Sequence, residues 1–202
     1  MERNSSILSL RFAVDRKFFS VFIHFLQRGI KLKVRVGCSL NVLFGDQLGL
    51  KPEYVKERIK TIFLDGKPVD DLDAAFIQDG CTVTLSAAMP GLAGATLRRG
   101  GFFAVLRSQI THGVGEMPIP ESEGYIFLKL FNLLISELGP DFLQRGFYMS
   151  REDFKGLANL PDEFWRGCRQ ARAGGKDLQV DQVRSLNDWD SDWIFLAVQF
   201  SS

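Results

Sequence analysis

The sequence predicts an α+β protein, a mixed sheet in its first half followed by a helix-rich C-terminal α+β half, and three features carry that reading. Ile30 to Val36 alternates apolar and basic residues without interruption, the period of a half-buried strand. Asp-Gly pairs at 65–66 and 79–80 punctuate β-rich text as tight turns do. Beyond residue 120, apolar residues recur at helical spacing between capping residues.

In chain order, Ile7 to Ala13 reads as a strand, and Asp15 stands where an N-cap would open a helix over 16–28 that closes at Gly29. The density of Phe and Val in that stretch suits a second strand as well. In the strand at 30–36, Ile30, Leu32, Val34 and Val36 belong on the buried face and Lys31, Lys33 and Arg35 on the solvent face, since a one-residue slip would invert every side chain. Ser39 to Phe44 is a second strand or a short helical turn. Pro52 opens a helix over 53–60, the stretch 61–69 is a strand bent at Asp65-Gly66, and another strand covers 81–85.

Ser86 to Gly101 is rich in Ala and Gly, and Phe102 to Ile110 is apolar enough for a strand or a buried helix. His112 to Pro120 reads as a connector, so the division is drawn between a first domain, 1–112, and a second, 113–202. A core helix is expected over 121–138 with Tyr125, Phe127, Leu128, Phe131 and Leu134 on its apolar face, ended by Gly139-Pro140. Ser150 caps a helix running toward Leu160, and Pro161 starts another that carries Phe164, Trp165 and Cys168 and closes near Gly174-Gly175. Trp193 to Phe200, nearly continuous in apolar character, reads as a central strand.

Composition narrows the function classes. With 46% hydrophobic and 24% charged residues, the chain is globular in type and long enough to bury a core without staples. Its 25 basic and 24 acidic side chains leave a net charge of +1, so no global field recruits nucleic acid or membrane, and charge-guided binding must be local. No signal-peptide core and no run of spanning length is present, which makes cytoplasmic the expectation. Cys38, Cys81 and Cys168 have neither paired spacing nor a neighbouring His and read as buried reduced thiols. The 18 Phe against 3 Tyr favour core burial over exposed recognition surfaces, and RNA-binding signatures are missing.

The order of strand 30–36, short second strand, helix 53–60, bent strand 61–69 and strand 81–85 resembles the ubiquitin-like β-grasp, over roughly residues 30–94. Phe63-Leu-Asp-Gly-Lys-Pro-Val69 followed by Gln78-Asp-Gly-Cys-Thr-Val-Thr-Leu85 is most similar to its sulfur-carrier branch, the molybdopterin-synthase small subunit and the thiamine-pathway carrier. That resemblance implies a Gly-Gly tail whose carboxylate is adenylated and thiolated. Pro90 to Gly94 resembles the position of the tail, and Leu97-Arg-Arg-Gly-Gly101 echoes a ubiquitin ending, but the chain continues past both, so a carrier or modifier role requires processing at Gly101.

The chemistry-bearing residues are scattered. His24 lies in the Phe-rich run and suits packing; His112 in the connector is the catalytic candidate, without a nucleophile motif beside it. Carboxylates gather at Asp65, Asp70, Asp71 and Asp73 and at Asp188, Asp190 and Asp192, in both cases reading as solvated turns before a cation site. Arg98, Arg99, Gly100 and Gly101 could present a cation and backbone N–H groups to an anion, although no phosphate-loop motif is present. The leading expectation is a non-catalytic protein-interaction module without cofactor or metal, whose partner is another protein or a second copy of itself, with no nucleic acid and no membrane. The alternative is a small enzyme or anion- or nucleotide-binding protein with an inter-domain cleft near His112, Arg98 and Arg99.

Overall fold

The computed structural model describes residues 7–88, 91–99, 101, 120–186 and 191–201. Strand β1 (Leu8–Asp15) leads through a tight turn, 16–19, into α1 (Ser20–Arg28) and β2 (Ile30–Val36). Next come α2 (Leu40–Val42), widening into a π-turn over 43–47, then α3 (Pro52–Glu57), β3 (Thr61–Leu64), β4 (Lys67–Pro68), β5 (Thr82–Ser86) and α4 (Gly91–Leu97). The remainder holds β6 (Ser122–Phe131), α5 (Leu133–Arg145), β7 (Phe147–Ser150), α6 (Arg151–Ala158), α7 (Asp162–Arg166), β8 (Cys168–Ala173), β9 (Lys176–Leu178), α8 (Val180–Arg184) and β10 (Trp193–Ser201). The chain is therefore α+β. Two compact units divide it, one made of 25–137 and the other of 1–24 together with 138–202; the division expected at 112 and 113 falls outside the described residues.

In the 25–137 unit the strand order is β4-β3-β5-β6-β2. β5 and β6 run parallel at its centre, while β2 lies antiparallel to β6, and β3 antiparallel to both β5 and β4. Ile30, Leu32, Val34 and Val36 are buried and Lys33 and Arg35 exposed, as the alternation requires, with Lys31 half-buried. The buried row continues through Ile126, Leu128 and Leu130 of β6 and Val83 and Leu85 of β5. Leu40, Leu43, Phe44 and Val55, from the helical segments between β2 and β3, are buried as well. Of the two options at 39–44 the helical turn is realised, with Ser39 Oγ accepting from the Val42 N–H at 3.4 Å. Asp65 and Gly66 both take positive φ, 49° and 78°, the pairing a two-residue hairpin between β3 and β4 demands.

The expected helix over 121–138 is corrected: residues 122–131 are β6, and the helix α5 begins only at Leu133. From Gly124 onward buried and half-exposed positions alternate strictly, but the half-exposed row is Tyr125, Phe127, Lys129 and Phe131, apolar enough to blur a period of two into one of 3.6. Phe131 is thus half-exposed and not on a helical core face. Nor does Gly139-Pro140 end α5, which continues to Arg145. An interior Pro costs a helix about 3 kcal/mol. Burial of Phe142 and Leu143 in the following turn returns roughly 1.5–3 kcal/mol each, enough to carry the helix through.

In the other unit the order is β7-β10-β1-β8-β9, with β10 parallel to β1 and antiparallel to β7. β10 has a neighbour on each side, as its apolar run predicted, and Ile194, Leu196, Ala197 and Val198 are buried. The helix expected from Pro161 to Gly174 is corrected to the single short α7, followed by the hairpin β8–β9. Gly174 and Gly175 take φ of 54° and 84° and form the hairpin turn; they do not close a helix. Ser150 caps α6 as expected, accepting from the Asp153 N–H at 3.0 Å. Among the described residues no helix is long and apolar enough to cross a membrane.

Candidate functional site

Two of the sequence's candidate groups meet in one cleft of the 25–137 unit. The π-turn after α2, Leu50 of the segment that follows it, and α3 form one wall, through Phe44, Gly45, Leu50, Pro52, Val55 and Lys56. The loop between β4 and β5 forms another, through Asp70 to Asp73, and Arg99 enters from beyond α4. The cleft is open and encloses about 540 Å³, within the range that accommodates a small ligand or a few side chains.

Four of its polar residues, Asn41, Asp71, Asp73 and Arg99, are tied down. Asp71 Oδ1 accepts from the backbone N–H groups of Asp73 (2.9 Å) and Ala74 (3.2 Å), a turn of the kind short acidic side chains favour. Asn41 Nδ2 donates to Asp73 Oδ1 at 2.8 Å, and the Asn41 N–H reaches the Leu72 carbonyl at 3.2 Å, which fixes the acidic loop to α2. The Arg99 guanidinium donates to the Val55 carbonyl at 3.1 Å, and the Arg99 backbone N–H to that of Lys60 at 2.8 Å. Partial burial lowers the Arg99 pKa, and the charge of Asp70 opposes that shift. No group of three or more His, Cys, Asp or Glu placed to hold a metal ion occurs among the described residues.

The other candidates among the described residues do not line this cleft. Arg98 is exposed, and the Gly101 N–H, one of the suggested anion donors, is bonded to the Arg98 carbonyl at 3.1 Å. Gly100, His112, Asp188 and Asp190 lie outside the described residues. His24 Nδ1 lies 2.9 Å from the Val21 carbonyl on its own helix. All three cysteines are buried and free of disulfides. Burial pushes the Cys81 and Cys168 thiols up to about 11 and raises that of Cys38 as well, which keeps them as poorly nucleophilic thiols. Reasoning from sequence missed Phe44, Leu50 and Leu72, whose apolar character carried no signal beyond core packing.

The wall of the cleft is braced from behind. Glu137 of α5 accepts from the Tyr54 hydroxyl at 2.6 Å, from Arg58 Nε at 3.2 Å, and from Arg58 Nη2. Those bonds, Arg58's first and Tyr54's second, hold the Glu137 carboxyl below the usual carboxylate range. Burial and then the Glu137 bond raise the Tyr54 phenol above its ordinary value. The stability Glu137 supplies is present above its unfolded pKa of about 4.3 and lost as pH falls through the lower folded value. That of Tyr54 is present below about pH 10 and lost as pH rises beyond it. We therefore expect the stability difference between the wild-type chain and Glu137→Gln, measured by urea midpoints, to be constant from pH 5 to 9 and to shrink below pH 4. A difference that persists unchanged at pH 2.5 would remove the ionic role.

No family model matches the chain, and neither a curated protein nor a solved structure matches it.

Proposed function

We propose that the chain is a cytoplasmic, non-catalytic protein-interaction module, its 25–137 unit a β-grasp-like sheet, and that its cleft receives an apolar, basic segment of a partner protein. The observation that carries this reading is the division of labour in the cleft. Asp71, Asp73, Asn41 and Arg99 all have bonds within the fold, while Pro52 and Leu72 offer apolar surface beside Asp70, Asp71 and Asp73, over the buried Phe44, Leu50 and Val55. Groups held this way position and exclude; a catalytic constellation needs a nucleophile or base aimed at a reacting atom. The free thiols are in keeping with a reducing compartment.

The strand order supports the β-grasp. In a ubiquitin-like grasp the first and last strands run parallel at the sheet centre, each flanked by an antiparallel partner, and β6 and β5 have that relation here. The chain departs from the family in sequence order, because the strand in the first-strand place follows β5 and does not precede β2. The sulfur-carrier alternative asks for a mobile tail after β5. Residues 91–97 are helical instead, and Arg99 and Gly101 are bonded to Lys60 and Arg98, contacts a tail processed at Gly101 would have to surrender.

Fluorescence anisotropy with labelled ten-residue peptides tests the reading. A Leu/Lys peptide is expected to bind the full chain in the micromolar range, and Leu72→Arg to weaken it at least ten-fold. Preference for a Leu/Glu peptide, or affinity indifferent to Leu72→Arg, would sink it.

A further inference from the structure

The outer face of the 25–137 sheet is a second surface, independent of the cleft. Lys31 and Lys33 of β2 stand opposite Phe127 and Tyr125 of β6, and Lys129 stands beside Thr84 of β5, which in turn faces Phe63 of β3. Residues paired in this way share a face of the sheet, and none of these side chains is buried. Flat rings therefore lie between long cations, with Thr82 and Thr84 of β5 beside Phe127 and Lys129. Protein–protein interface cores enrich aromatic residues but deplete Lys. Surfaces for single-stranded nucleic acid use both together, rings as stacking platforms and cations for the backbone.

We propose that this face binds single-stranded nucleic acid, with bases stacked on Tyr125, Phe127 and Phe63 and phosphates held by Lys31, Lys33 and Lys129. Alternate residues on a strand lie about 6.7 Å apart, so Tyr125 and Phe127 form successive platforms and Lys31 and Lys33 follow at the same pitch one strand away. The Lys31 ammonium lies 4.4 Å from the Tyr125 ring centroid, so cation and π-face are already adjacent, and a nucleotide replaces that contact with a base on the ring and a phosphate on the ammonium. Lys33 pairs with Glu123 at 2.8 Å, with side chains 44% and 76% exposed, an ion pair weak enough in water for a phosphate to displace the carboxylate. The expectation of no nucleic-acid partner rested on a net charge of +1 and on missing RNA-binding signatures. A patch assembled from three strands escapes both criteria.

Anisotropy of a fluorescein-labelled ten-nucleotide oligo(dT) or oligo(U) titrated with the full chain provides the test. Binding is expected in the range of about 1–100 µM at physiological salt, with log affinity falling against log salt at a slope of about −2 for three phosphate contacts. Phe127→Leu, which keeps apolar bulk without a π-face, is expected to weaken binding about ten-fold, Tyr125→Phe to preserve it, and Lys31→Gln with Lys33→Gln to flatten the salt slope by about 1.4 units. Circular dichroism of each variant establishes that it is folded. Three results would overturn the proposal: no binding at 100 µM protein, an affinity unchanged in folded Phe127→Leu, or competition by decaglutamate as effective as by the oligonucleotide. The last would assign the face to an acidic peptide.

Discussion

Gly146→Ala should destabilise the chain by about 2–5 kcal/mol. Gly146 follows α5 at φ 98°, where its N–H reaches the Phe142 carbonyl at 3.1 Å and closes the helix in the left-handed conformation that glycine favours. An L-residue in that region costs about 1–2 kcal/mol. The second contribution is steric: a Cβ on Gly146 would sit 2.2 Å from Phe195 Cζ and under 3 Å from both Cε atoms. The tip of the ring lies against the glycine and the ring is held edge-to-face by Tyr148 at 5.4 Å, so relief requires the ring to leave its place, an overpacking cost of about 1–3 kcal/mol. Urea midpoints measure the total, and the double variant Gly146→Ala with Phe195→Leu separates its parts by returning the steric share alone. A total loss below about 1 kcal/mol would mean that the ring shifts freely.

Phe22→Ala should cost about 3–5 kcal/mol. The Phe22 ring is fully buried in α1, packed edge-to-face on Phe200 of β10 at 5.8 Å and tilted on Phe164 of α7 at 6.2 Å. Truncation removes the burial, leaves a cavity among rigid rings that collapse poorly, and forfeits both aromatic contacts. Phe18, half-exposed at the turn before α1 and edge-on to the same Phe164 at 5.5 Å, should cost distinctly less when truncated. Equal losses at the two positions, read from denaturant midpoints, would show that burial does not set the cost here.

Which parts of this fold were legible in the sequence follows from where two faces of an element differ in chemistry. β2 was legible because its outer row is Lys and Arg, so its alternation survives any choice of window. β6 was not, because the outer row of that strand is aromatic, and three rings interrupted by one lysine look like one side of a helix until pairing with β2 and β5 supplies the register. The helix at 162–174 was over-extended because Gly167 carried no stop signal on its own. Its meaning lies in Phe18, whose ring occupies the space a Cβ there would need. The candidate site was half legible. Arg99 and the Asp70–Asp73 cluster stood out by charge, but their convergence depends on the loop folding back to Asn41, and the apolar floor of Phe44, Leu50 and Leu72 is indistinguishable in sequence from ordinary core.

The parallel pairing of β1 with β10 also sets a timetable for synthesis. Leu8 to Asp15 leaves the ribosome well before its partner, Trp193 to Ser201, and β7 too must wait for that partner. At about 5–20 residues per second, the first strand spends on the order of ten seconds or more with an unpaired apolar edge. The 25–137 unit is continuous in sequence, and every strand its sheet needs has emerged long before β10. A chain growing in the cell thus carries one unit able to complete itself early and a second that stays open until translation nears residue 201. The exposed strand of a nascent chain is the natural target for a holding chaperone or for misassociation with a neighbouring chain.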